Sequence, residues 1–114
     1  MTYEHAKLDN MFKGWFVGDF QPTLFNSKDV EVAIKYYKAG DVEELHHHKV
    51  STEITAIVQG QVKMLDRVWS AGDILLLEPG TATSFEAITD SINVVVKLPS
   101  VKNDKYIGSP ALCK

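Results

Sequence analysis

No stretch of ten or more residues repeats its apolar side chains with the 3.6-residue period of a helix. Short β-forming runs, each closed by a turn signal, fill the chain instead. Residues 30–38 are rich in β-branched and aromatic side chains and stop at Ala39, Gly40 and Asp41. Residues 51–58 close at Gln59 and Gly60, and residues 61–65 alternate towards a hairpin tip expected at Asp66 and Arg67. Ala71, Gly72 and Asp73 turn the chain into Ile74–Leu77, which reads as a fully buried strand. Residues 83–88 and 91–98 follow, the last stopped by Pro99. A helical turn is expected at most within residues 2–13, with extended structure from Trp15 to Phe20. About eight strands spaced roughly 8–12 residues apart predict an all-β sandwich or barrel.

The chain has 114 residues, the size of one domain, and no internal repeat or linker divides it. Twelve lysines and arginines against fifteen acidic residues give a net charge of −3, without the basic excess of a nucleic-acid binder. The longest aliphatic run, Ile74–Leu77, is far too short to span a bilayer, and the first twenty residues carry Glu4, Asp9 and Asp19 where a signal peptide would be apolar. The single cysteine, Cys113, excludes an intrachain disulfide and is expected to be inert, so a cytoplasmic setting is the simplest expectation.

The stretch from Gly40 to Gly60 carries the chemistry. In an extended chain, residues two apart share a face, so His46 and His48 project together and His47 faces the other way. Glu53 follows on the next strand beyond a bend. Two imidazoles and a carboxylate converging on one cavity make a ligand set for Fe(II), Mn, Ni or Zn. Spacing alone equally allows a solvated loop that binds metal adventitiously.

Gly40, His46, His48, Glu53 and Gly60 match the first conserved motif of the cupin superfamily at all five positions, and the chain resembles a small cupin on that basis. The second motif, G-x5-P-x-G-x2-H-x3-N, is kept at Gly72 and Gly80 only. Glu78 stands at its proline, Thr83 at its histidine and Ala87 at its asparagine. The resemblance covers about residues 30–98. It implies a single-domain cupin jelly roll, a double-stranded β-helix barrel with the ligand pocket inside. It also implies a divalent metal held by His46, His48 and Glu53, with Thr83 as a pocket position where a fourth ligand is usual. Three readings follow: a site of three protein ligands completed by water, a shell completed by another side chain, or a metal-free site where the histidines act as acid and base.

Other positions carry weaker expectations. Tyr36 shares a face with Val32 and Ile34 and reads as core or pocket wall, whereas Lys35 shares the face of Glu31 and reads as a solvent or cross-strand partner. Lys97 and Tyr37 lie on strands that could border the pocket. Met64, Trp69 and Phe85 read as core or pocket lining, and Glu86 as outward-facing. The aromatic residues within 12–20 form an expected homodimer strand, and residues 102–114 a polar, partly ordered tail. The expected protein is a metal-binding cupin domain over residues 1–114 that acts on or binds a small polar, sugar-like molecule. The alternatives are a metal-free sugar or nucleotide-sugar isomerase or epimerase, and a non-catalytic binding module.

Overall fold

A computed structural model describes residues 2–110; Cys113 lies outside them. After a short 3-10 turn at Leu8–Asn10 come ten strands: β1 Trp15–Val17, β2 Glu31–Tyr37, β3 Val42–His47, β4 Thr52–Gln59, β5 Gln61–Met64, β6 Arg67–Ser70, β7 Ile74–Leu77, β8 Thr83–Ala87, β9 Ser91–Leu98 and β10 Tyr106–Ile107. They form two five-stranded sheets, ordered β1-β2-β9-β4-β7 and β10-β3-β8-β5-β6. Every pairing between these strands is antiparallel. Among the described residues no helix is long and apolar enough to cross a membrane.

Ile57, Val62, Met64, Leu77, Phe85 and Ala87 form the buried core between the sheets, with Tyr37, Trp69 and Leu75 packed against it. Burying side chains of the larger kinds in this set stabilises the fold by about 1.5–3 kcal/mol each. Gly60 turns β4 into β5 at φ +87°, and a Cβ there would meet the Asp90 carbonyl oxygen at 2.3 Å, so only glycine fits. The β5–β6 hairpin tip is Leu65 and Asp66, one residue earlier than expected. Both are left-handed, at φ 54° and 57°, as a two-residue turn with matching twist requires.

The first sheet carries its polar face inward. Across its strands, Glu31, Lys97, Glu53 and Leu77 form one inner row, and Lys35, Asn93 and Ile57 another. Its outer rows are apolar: Val32, Val96, Ile54 and Leu76, then Ile34, Val94, Ala56 and Ile74. Three expectations are corrected by this arrangement. Tyr36, expected in the core or pocket wall, is 68% exposed on the outer face. Lys35 points into the interior cavity rather than to solvent. Ile74–Leu77 is the edge strand, with Ile74 and Leu76 exposed, and only Leu77 is buried. In this sheet the polar rows furnish the cavity, so its apolar alternation marks the outer face.

The aromatic segment folds back onto the barrel. Trp15 lines the cavity, Phe16 and Phe20 are half-buried, and Phe12 remains exposed. The tail is structured within its described part: Tyr106 and Ile107 pair with His47 and His46 as β10.

Candidate metal centre and ligand cavity

A cavity of about 310 Å³ opens between the sheets. His46, His48, Glu53 and Thr83 all line it, while His47 does not. The alternation of β3 produces that division. His47 is 1% exposed; its Nδ1 donates to the Gly108 carbonyl at 2.7 Å and its ring stacks on Tyr106.

The two cavity histidines face each other edge-on, with ring centroids 5.5 Å apart. His46 Nδ1 bonds the Glu44 carbonyl at 2.9 Å, and His48 Nδ1 bonds the Asp104 carbonyl. A carbonyl only accepts, so Nδ1 carries the proton in both rings and Nε2 is left as the free nitrogen of each neutral imidazole. His48 Nε2 lies 3.3 Å from Glu53 Oε1, and Thr55 donates to Glu53 Oε2 at 3.0 Å.

These contacts set the protonation of the pair. Burial pushes His48 down, but its bonds to Glu53 and to the Asp104 carbonyl outweigh this and hold its pKa above the ordinary histidine value. Burial pushes Glu53 up, and the His48 and Thr55 contacts overcome it, leaving the carboxyl below its usual range. His46 has no such partner, and burial leaves its pKa lowered.

The donor chemistry fits a divalent metal. Ligating imidazoles characteristically give their second ring N–H to a carbonyl or carboxylate, which is the arrangement of His46 and His48. Among the described residues, no group of three His, Cys, Asp or Glu side chains is already drawn together around a metal position.

Thr83 lies directly across from His46 in the β3–β8 pairing. Its hydroxyl accepts from the Leu65 N–H at 3.0 Å and donates to the Ser84 carbonyl at 2.7 Å. That oxygen therefore supports the left-handed hairpin turn at Leu65.

No family model and no curated protein matches the sequence. Solved structures do match. An uncharacterized conserved protein with a double-stranded β-helix domain from Klebsiella pneumoniae is 18% identical, with 73% of each chain covered and a TM-score of 0.66. An RmlC-like cupin from Shewanella frigidimarina is 18% identical over 69% of this chain and 73% of its own, at a TM-score of 0.63. The DMSP lyase DddQ from Ruegeria pomeroyi is 18% identical over 94% of this chain and 58% of its own, at a TM-score of 0.67.

The chain has the cupin fold.

Within this fold, several cavity groups have roles that the sequence does not mark. Lys35 and Lys97 point inward and flank Trp15, their ammonium groups 5.1 and 4.9 Å from its ring centroid. β2 and β9 each carry one apolar face and one more polar face, and here the polar one lines the cavity. Tyr37 donates to Glu43 at 2.9 Å, and burial first, then that carboxylate, raises its pKa so far that the phenol keeps its proton. Asp104 was hidden in an unpatterned polar stretch. Its carboxylate accepts the backbone N–H groups of Lys49, Val50 and Ser51, fixing the bend between His48 and Glu53. No local sequence pattern signals that role.

Proposed function

We propose that this cupin binds one divalent first-row metal through His46, His48 and Glu53 and acts on a small polar molecule in its cavity. The observation that carries this reading is the pair of imidazoles whose Nδ1 atoms are held by backbone carbonyls, with Glu53 beside His48 Nε2. Bound metal would supply Lewis-acid polarisation of a ligand oxygen. Asp104 orients His48 through its carbonyl and holds the following bend through its carboxylate. Tyr37 holds a proton at Oη on the cavity wall. With the Thr83 hydroxyl engaged elsewhere, three protein ligands leave open positions for water or a bidentate ligand oxygen pair, as in a sugar-like hydroxy-ketone. That one neighbour in fold is a DMSP lyase supports small-molecule chemistry in such a barrel.

The 3.3 Å contact between His48 and Glu53 also favours a second reading, in which the two form a metal-free acid–base pair. Elemental analysis of untagged protein, purified without a metal column, separates the two. Near-stoichiometric Fe, Mn, Ni or Zn that is lost in His48→Ala and weakened in Glu53→Gln supports the metal reading. Absence of metal from the purified protein, with no uptake on incubation, overturns it in favour of the acid–base site.

The chain assembles as a homodimer in this reading, with the outer face of the first sheet offering a contact in addition to the aromatic segment at residues 12–20. The two outer rows contain no charged residue, and Ile74 and Leu76 are 74% and 63% exposed. An uncharged apolar face of this extent can meet a second copy of itself about a two-fold axis without repulsion.

A further inference from the structure

Four lysines, at positions 13, 35, 97 and 105, line the same cavity as the histidines, against two glutamates, Glu43 and Glu53. The carboxylates do not neutralise them. Glu53 is at ion-pair distance from His48, and Glu43 accepts the Tyr37 hydroxyl. Lys97 is paired with Glu31 at 3.3 Å. Among the described residues Lys35 has no carboxylate at ion-pair distance, and its ammonium rests near the face of Trp15. Burial lowers the Lys35 pKa, and the charges of Lys13, Lys97 and Lys105 lower it further while Glu43 acts in the opposite sense. Beside Lys35 across the β2–β9 pairing is Asn93, a cavity residue 1% exposed, whose buried Oδ1 has no hydrogen-bond partner.

A part-buried ammonium without a counter-charge, beside a buried and unpaired amide, is costly to hold, and a ligand that brings the missing groups offsets that cost. An acidic group would satisfy the ammonium of Lys35 and the field of the other lysines. A hydroxyl on the same molecule would donate to Asn93 Oδ1.

We infer that the cavity takes a small hydroxylated organic acid, its carboxylate or phosphate at Lys35 and its hydroxyl at Asn93. This deepens the functional reading above and rests on the cavity being the ligand site, but it does not require the metal. The test is calorimetric titration of the metal-stripped full chain with tartrate and with threitol, which keeps the skeleton and inner hydroxyls without the charges. A parallel titration uses glycerol phosphate and glycerol. At least one acid is expected to bind about tenfold or more tightly than its neutral polyol; which acid does so distinguishes carboxylate from phosphate. Lys35→Met should remove that preference, whereas Lys102→Met should keep it, because Lys102 is not among the cavity residues. Equal binding of acid and polyol, no binding of either acid, an unchanged preference in Lys35→Met, or an equal loss in Lys102→Met overturns the inference. Metal uptake is measured on the same proteins. Acid preference without metal uptake overturns the metal reading alone, and metal uptake without acid preference overturns this inference alone.

Discussion

His46 and Thr83 are direct cross-strand partners in the β3–β8 pairing, so the second-motif position faces the first metal-ligand candidate over one strand spacing. Thr83→His places an imidazole on the cavity side of that pair, and metal affinity is expected to rise. The variant also leaves the Leu65 N–H without its hydroxyl acceptor at a left-handed turn, at a cost of about 1–3 kcal/mol in stability. Metal titration and urea unfolding read the two effects separately; unchanged affinity would remove Thr83 from the proposed ligand position.

His47 and His48 are adjacent in sequence and opposite in consequence. His48→Ala is expected to reduce metal affinity by at least the ~10–100-fold that loss of an outer-shell partner costs. His47→Ala should leave metal uptake intact and lower stability, because the ring is buried against Tyr106 and bonded to Gly108. Equal losses of metal from both variants would make the histidine run a surface chelator.

Asp104 gives the fold a defined acid sensitivity. Its burial raises the carboxyl pKa, but the N–H donors of Ser51, Lys49 and Val50 outweigh burial and leave it below the usual aspartate value. Stability from this group is therefore fully present above the unfolded pKa and is lost as pH falls through the lower native one. Asp104→Asn should be less stable than the parent by about 1–3 kcal/mol at neutral pH. The two unfolding curves should converge as the pH falls through the lowered native pKa of Asp104. A constant gap across that range would show that the carboxylate's charge is not what the loop uses.

Leu76→Lys tests the assembly. Leu76 is 63% exposed in the single chain, so a charge there costs the monomer little but is placed on both sides of a two-fold contact. Sedimentation should find a dimer for the parent chain and a monomer of unchanged circular dichroism for the variant. A parent that sediments as a monomer at all concentrations would end the proposal.

Most strand positions were legible because β-branched runs and glycine turns act locally, although β10 fell in the stretch read as a polar tail, and the grouping of His46 and His48 apart from His47 followed from alternation alone. Which face of β2 lay inside was not legible. Val32, Ile34 and Tyr36 alternate with Glu31, Ala33 and Lys35 as cleanly for a solid barrel as for a hollow one, and the cavity inverts the assignment. The support of His48 by Asp104 was also out of reach, because it joins residues 56 positions apart through a backbone carbonyl that any residue type could provide.

The inward row of Glu31, Lys97 and Glu53 has a second effect, on the alignment of the sheet itself. A slip of β9 by one residue against β2 and β4 would turn Lys97 outward among Val32 and Ile54 and draw Val96 in beside two carboxylates. An all-valine strand would slide between these settings at little penalty. The charges that furnish the interior thus act as index marks, allowing the three central strands to close in only one alignment.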